Sequence, residues 1–258
     1  MEHCKEESLH TGTIELATII LAAGKGTRMR SDLAKVLHPV CGEPMVYYSV
    51  NLARKIGSAM IVLVVGHQAE VIQEKMRGND LVYVMQREQL GTGHAVLQAK
   101  DAFRHFEGDI LILCGDVPLL SQKTVETLIS CHRENSAVVT VLTTLLDDPS
   151  GYGRIIKGND NAIIKIIEER DATGEEKKVK EINSGIYCAN CRYLFDAVSR
   201  IGNDNVQKEY YLTDMVEIVR QMGFQVNAFL AHDSQEVMGI NTVDELTKAT
   251  RVMEERRK

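Results

Sequence analysis

Residues 15–29 read ELATIILAAGKGTRM. The opening run, 15–21, is apolar and rich in β-branched residues, long enough for a strand and far too short for a membrane span. It shows no polar alternation, which marks a strand covered on both faces rather than one with a wet side. It stops at Ala22-Ala23-Gly24-Lys25-Gly26-Thr27, where small residues let backbone N–H groups come close to a phosphate. In a parallel α/β sheet, the C-terminal edge of the strands is where ligands bind. Two familiar phosphate loops are excluded by position. A GxGxxG fingerprint needs a third glycine where Met29 stands. A Walker A loop ending at Lys25 needs glycines at 19 and 24 and Ser or Thr at 26, whereas Ile19 and Gly26 are present. Taken alone, the segment is a tight strand-to-helix turn with solvated Lys25 and Arg28.

The pattern repeats downstream. Apolar runs at 60–65, 81–85 and 109–114 read as buried strands, separated by helical patterns at 44–55, at 69–77 and from Gly93 to Phe103. Pro44 is expected in the first turn of its helix, where a missing N–H costs nothing. Strands covered on both faces and alternating with amphipathic helices predict an α/β fold with helices on both faces of the sheet. The second half changes character. Strands are expected at 137–145, 154–156, 162–168 and 181–189 with little helix between them, so the sheet is mixed there. Helices at 211–222 and from 243 onward bracket a last strand at 224–230. No repeat, low-complexity segment or linker divides the chain, so residues 14–258 are expected to form one domain behind a polar tail, 1–13.

The chain has 258 residues, 44% hydrophobic and 26% charged, with a formal net charge of −6. That balance speaks against nucleic-acid and membrane-surface binding. Six cysteines, at 4, 41, 114, 131, 188 and 191, lack the density of a secreted scaffold, and the N-terminus carries no apolar leader. The expectation is a reduced, cytoplasmic protein. Cys188 and Cys191 form a lone CxxC without a second ligand pair, so core or surface cysteines are the default reading.

Three loops, each following an expected parallel strand, carry the chemistry. The first is the glycine-rich turn, with Lys35-Val36-Leu37-His38-Pro39 behind it. The second is 86–95, QREQLGTGHA, and the third is 113–119, LCGDVPL. Together they offer a phosphate cradle, an amide-rich polar turn and a carboxylate, which suits a nucleoside triphosphate and a metal.

With LAAGKGTRM, KVLHP, QLGTGHA, GDVPLL, GYGRI, EINSGIY, EYYLTD and GINT in this order, the chain resembles the pyrophosphorylase domain of the N-acetylglucosamine-1-phosphate uridyltransferases. The resemblance runs from about residue 14 into the final helix. It implies a Rossmann-like nucleotidyltransferase fold with a mixed, mostly parallel sheet. It also implies magnesium-assisted attack by a sugar 1-phosphate on the α-phosphorus of UTP, releasing pyrophosphate. Positioning and charge neutralisation dominate such chemistry. By resemblance Leu21, Ala22, Ala23, Gly24, Gln86, Gly91, Thr92, Cys114 and Gly115 bind the nucleotide, and Gln86 reads the base with a carboxamide. Arg28 and Lys35 are the electrostatic catalysts, while Lys25 and Arg30 stay solvated. Asp116 and Asn241 hold magnesium, although Asn241 and Thr242 also both stand where the last helix needs an N-cap. Gly153, Glu168 and Asn183, with Tyr211 and Thr213, bind the sugar.

The chain departs from the family pattern in places. Ala34 replaces the usual proline before the lysine, which predicts a looser presentation of Lys35. Cys114 replaces the usual tyrosine. No hexapeptide repeats of the family's β-helix acetyltransferase domain follow, so no acetyl transfer and no β-helix trimer are expected, only a monomer or weak oligomer. Two alternatives stay open: a same-fold enzyme for another sugar 1-phosphate or nucleoside triphosphate, and a non-catalytic regulatory subunit that binds sugar nucleotides. The latter would be expected to have lost Arg28, Lys35, Asp116 or Asn241, and all four are present.

Overall fold

Strand β1 (Glu15–Ala22) turns Ala17 and Ile19 to one side of a sheet and Leu16, Ile20 and Ala22 to the other, and both sides are covered. This computed structural model describes residues 14–257; the tail expected over 1–13 lies outside the described residues. From β1 the chain makes a short hairpin, β2 (Pro39–Val40) and β3 (Glu43–Pro44). Helix α1 (Met45–Lys55), β4 (Met60–Val65), α2 (Ala69–Lys75), β5 (Leu81–Met85), α3 (Thr92–Gln98) and β6 (Gly108–Cys114) follow. Then come α4 (Gln122–Glu134), β7 (Val139–Leu145), β8 (Arg154–Lys157), β9 (Ile163–Ile167) and β10 (Glu181–Asn190). Helices α5 (Cys191–Val198) and α6 (Asp214–Gln221), strand β11 (Val226–Leu230) and helix α7 (Val243–Arg256) complete the described chain.

The main sheet has the order β11-β7-β10-β6-β1-β4-β5, with β8 and β9 attached through the β8–β10 pairing. Pairs β6–β1, β1–β4, β4–β5 and β7–β11 are parallel, while β10 runs antiparallel between β6 and β7. This is the mixed, mostly parallel sheet expected from the resemblance. Helices α3, α5 and α6 cover the face that carries Ala17 and Ile19, and α1, α2 and α4 cover the other. Strand order reverses at β1, between β4 and β6. Ligands of α/β sheets bind outside the carboxyl ends of the strands at such a point.

Two helices go beyond the expectation from sequence. In α4, Ser121 caps the N-terminus by accepting from the Thr124 amide, and Val125, Leu128, Ile129 and His132 form one buried stripe. That spacing of i, i+3, i+4 and i+7 is a helical signal. In α5 the same spacing appears at Cys191, Leu194, Phe195 and Val198, but the helix starts directly from β10 without a turn residue, so strand and helix patterns run together. Pro44 also departs from expectation. Its ψ of 144° places it in extended backbone as the last residue of β3, one position ahead of the helix rather than in its first turn.

Helix α7 packs Ala249 with Val40, Met45, Leu119 and Ile240, a small core that holds the far end of the chain against the loop after β1. Its N-cap is Thr242, in a capping box. The Thr242 hydroxyl accepts from the Glu245 amide, while Glu245 Oε2 accepts from the Thr242 and Asn241 amides at 2.8 and 2.7 Å. Asn241 therefore does not cap the helix, and its side chain is released for other partners. Thr242→Ala is expected to lower stability by about 1 kcal/mol in a ligand-free thermal melt. Asn241→Ala is expected to cost clearly less; an equal loss would contradict this division of labour.

Candidate active site

The loop after β1 is shaped by one glycine. Gly26 sits at φ 69°, and a Cβ there would run into the side chain of Lys35, so glycine lets the two segments touch. Met29, buried, anchors the short turn Thr27–Met29, while Lys25, Arg28 and Arg30 are exposed. Lys35 opens a second short turn, Lys35–Leu37, whose Val36 and Leu37 are buried. The looser presentation expected from Ala34 is not found. Ala34 takes φ −53° and ψ 136°, angles a proline would favour, and its N–H donates to Gln68 Oε1 at 2.8 Å. Gln68 Nε2 in turn donates to the Asp32 carbonyl at 3.0 Å. A proline has no N–H for this latch; alanine uses it to hold Lys35 in place.

Lys35 Nζ forms an ion pair with Asp116 Oδ2 and donates to Asn241 Oδ1 at 3.0 Å. Arg28 reaches the same Asn241 Oδ1 at 2.9 Å. All four residues expected to carry charge or metal are thus brought together from three distant parts of the chain. Two hard oxygen donors converge on one cation, the ammonium, and carboxylate and amide oxygens are the donor type that magnesium takes from proteins.

A cavity of about 270 Å³ adjoins this cluster. Leu21, Ala22, Ala23, Gly24, Lys35, Gln86, Gly91, Thr92, Cys114 and Asp116 all line it. Gly115, also expected to bind the nucleotide, does not line it; its N–H donates to the Leu21 carbonyl at 2.9 Å. Gln86 is only 3% exposed; its Nε2 donates to the Gly91 carbonyl at 3.1 Å and lies 3.1 Å from His94 Nδ1. Gly91 holds φ 115°, and a Cβ there would come within 2.6 Å of the Tyr210 carbonyl oxygen. Cys114 faces the Gly185 carbonyl at 3.4 Å, and burial, reinforced by Asp116, pushes its thiol up to about 12, so it stays neutral. Gln89 and Glu209 also line the cavity. Both lie inside or beside quoted motifs, but nothing in the linear pattern singles them out.

Of the residues expected to bind sugar, Gly153, Glu168, Asn183 and Thr213 lie together, and none of them lines this cavity. Thr213 Oγ1 donates to Glu168 Oε1 at 3.0 Å, and a Cβ on Gly153 would sit 3.6 Å from both Glu168 Oε1 and Asn183 Cβ. The Tyr211 hydroxyl turns instead to Asp171 Oδ2 at 3.2 Å. Burial pushes the Tyr211 phenol up to about 12. The segment 209–213 is pinned to the loop before α3: Tyr210 N donates to the Leu90 carbonyl, Gly93 N to the Tyr210 carbonyl, and Leu212 N to Thr92 Oγ1.

The CxxC is not a chelate. Cys188 packs on the α1, α2 and α4 side of the sheet and Cys191 on the opposite side. Cys188 instead approaches buried Asp109 and His132, with ligand atoms within 4.8 Å of one another. Burial keeps the Cys188 thiol protonated. Burial also pushes Asp109 upward, but His132 and Arg133, whose Nε is 2.8 Å away, outweigh it and hold the carboxyl below the ordinary range. Those partners neutralise Asp109 without a metal. A larger cavity of about 690 Å³, beside Phe103, Phe106 and Tyr193, contains none of the expected site residues.

Burial, reinforced by Asp214, Asp171 and Glu209, raises Glu168, although the Thr213 hydroxyl opposes the shift. Burial, then Glu217 and Asp171, pushes Asp214 up to about 6. A carboxyl raised on folding stabilises the native state fully below its unfolded value near 3.8, and this contribution is lost as pH rises to about 6. Asp214→Asn is therefore expected to gain about 1–2 kcal/mol over wild type at pH 7, with the difference shrinking toward pH 4. The gain is smaller than the shift alone implies, because Asp214 is only half-buried and screened by solvent, and because it lies in the first turn of α6, where the helix dipole favours a carboxylate. Urea melts across that range would show it; a constant difference at every pH would refute it.

Comparison with known proteins agrees with this fold. The nucleotidyl transferase family pattern matches residues 17–250. The bifunctional protein GlmU of Geobacter metallireducens is 53% identical over 243 residues, 94% of this chain and 51% of that protein. GlmU of Geobacter sulfurreducens is 51% identical over 237 residues, 92% and 50% of the two chains. The chain thus spans about half the length of these curated relatives. A solved UDP-glucose pyrophosphorylase, complexed with UDP-glucose, superposes with a TM-score of 0.78 at 17% identity, covering 95% of this chain and 100% of that one. At that identity the match speaks to fold alone. No helix among the described residues is long and apolar enough to cross a membrane. With the family pattern spanning nearly all of the sheet and every loop around the cavity, the chain belongs to the nucleotidyl transferase family.

Proposed function

We propose that this chain transfers uridylyl from UTP to N-acetylglucosamine 1-phosphate, forming UDP-N-acetylglucosamine and pyrophosphate. The observation that carries the reading is the cluster of Lys35, Asp116, Asn241 and Arg28 beside a cavity lined by Leu21, Ala22, Ala23, Gly24, Gln86, Gly91 and Thr92. Identity near 50% to bifunctional GlmU proteins supports the choice of substrates.

In this reading the backbone of Leu21, Ala22, Ala23 and Gly24 cradles the nucleotide, with Gly91 and Thr92 beside the base. Gln86 meets the base edge. Gly153, Glu168 and Asn183 bind the sugar hydroxyls and acetamido group, with Thr213 orienting Glu168. The attacking sugar phosphate is already ionised and needs no strong base. Arg28 and Lys35 stabilise charge that develops as pyrophosphate departs in line from the α-phosphorus. Asp116 and Asn241 would hold magnesium, which would supply further neutralisation of the phosphates.

Pyrophosphate release measured across nucleoside triphosphates and sugar 1-phosphates tests the reading. UTP with N-acetylglucosamine 1-phosphate is the expected best pair; a preference for glucose 1-phosphate or dTTP would overturn the substrate assignment and leave the reaction class. Protein that binds UTP but turns over no pair would instead be a regulatory subunit. Asp116→Asn keeps shape and removes charge, so turnover in magnesium is expected to fall some hundred- to thousandfold, about 2.7–4 kcal/mol. Wild-type turnover by this variant would remove Asp116 from the metal assignment.

A further inference from the structure

We infer that His94 is a positioning residue that sets base specificity, by holding the Gln86 carboxamide so that only its carbonyl oxygen is left to meet the nucleobase. The inference rests on the uridylyl-transfer reading above and deepens it.

The orientation of Gln86 follows from its partners. Gly91 offers a backbone carbonyl, which can only accept, so the group facing it at 3.1 Å is the Gln86 amide nitrogen. That nitrogen has two hydrogens. The second points to His94 Nδ1, also at 3.1 Å, so Nδ1 has to be the unprotonated, accepting nitrogen of the ring. The ring proton then sits on Nε2, which faces the Gln98 side chain 3.1 Å away, one turn along α3. The Gln98 atom there is its amide nitrogen, which also lies 3.4 Å from the His94 carbonyl; to accept the ring proton Gln98 has to turn its carboxamide over and give up that longer contact. Both Gln86 donors are now used, and among the described residues Gln86 Oε1 has no hydrogen-bond partner although the side chain lines the cavity.

An oxygen with no competing donor can only accept. Uracil and thymine carry a hydrogen on N3 and can donate to it. Cytosine presents a lone pair at N3, and its nearest donor lies one position around the ring. The simple view of the carboxamide as one donor plus one acceptor thus gives way to an acceptor fixed by its neighbours. Without the imidazole, Gln86 would keep a single tether at Gly91 and could turn, letting its amide nitrogen meet cytosine. A buried group that must be satisfied discriminates more sharply than one free to adjust.

Two substitutions separate positioning from packing. The Oδ1 of asparagine falls near the place of histidine Nδ1, whereas glutamine reaches only toward Nε2. The kcat and KM of wild type, His94→Asn and His94→Gln are measured with UTP, dTTP and CTP, alongside ligand-free melts. In His94→Gln the UTP-to-CTP ratio of kcat/KM is expected to fall about tenfold, chiefly through KM for UTP, while the UTP-to-dTTP ratio holds. His94→Asn is expected to keep the wild-type UTP-to-CTP ratio whatever its melting temperature. If both variants retain the ratio, or lose it alike, His94 does not position Gln86. A wild-type enzyme with no preference for UTP over CTP would overturn the uridylyl reading together with this inference; a wild-type preference that His94→Gln leaves intact overturns the inference alone.

Discussion

Strand β1 is hydrogen-bonded on both edges, to β4 and β6, and covered on both faces by helices. A peptide chain so enclosed leaves little backbone for water and no interior position for charge, so past exposed Glu15 the strand is apolar except for Thr18, whose hydroxyl is hydrogen-bonded to Ser58. The next place it can carry charge is beyond its carboxyl end, which is where Gly24, Lys25 and Gly26 stand. The same holds for β6, whose buried run ends at Cys114 and Gly115 just before Asp116. The two exits lie side by side because the strands pair in register, Leu21 opposite Cys114. A parallel pairing therefore places a glycine-rich turn and a carboxylate at one edge before any functional requirement is considered.

Electrostatics closes the arrangement from further away. Asp116 and Lys35 are 81 residues apart, and Asn241 is 206 from Lys35, yet one ammonium serves both oxygens. Each element that delivers these groups is held by interactions separate from the site. Gln68 latches Ala34, the Leu21 carbonyl takes the Gly115 amide, and the capping box on α7 secures the backbone of Asn241. Charged groups kept near one another by rigid supports lose little entropy when they act, which is what phosphate chemistry asks of a protein. The region around Glu168 works differently. There burial raises Glu168 and Asp214, so native stability and the charge of that region are both tied to pH.

Much of the fold was legible in the linear pattern. The run at 60–65 coincides with β4 because a buried parallel strand has to be apolar along its whole length, whereas 81–85, read as buried, is the edge strand β5 with Val82 and Met85 exposed. Helix α4 was equally encoded in its stripe of Val125, Leu128 and Ile129, while α5 was hidden because Asn190 ends a strand and precedes a helix without a breaker between them. The residues around Lys35 and Asp116 were legible because small residues, a lysine and an aspartate at strand ends form a dense local signal.

Other features depend on distance in space rather than in sequence. The consequence of alanine at position 34 could not be read locally, since the group that replaces the rigidity of proline, Gln68, lies 34 residues away. The pairing of Tyr211 with Asp171 and the dispersal of the CxxC to opposite faces of the sheet are likewise products of packing. The sequence by itself determined the buried strands, the order of the loops and the chemical kinds of side chain at their ends, because periodicity and residue type are local properties. Only the tertiary structure decided which atom of Gln86 is left to accept, which neighbour caps α7 and which oxygens share Lys35, because hydrogen bonds are allotted among groups that meet only after the chain has folded.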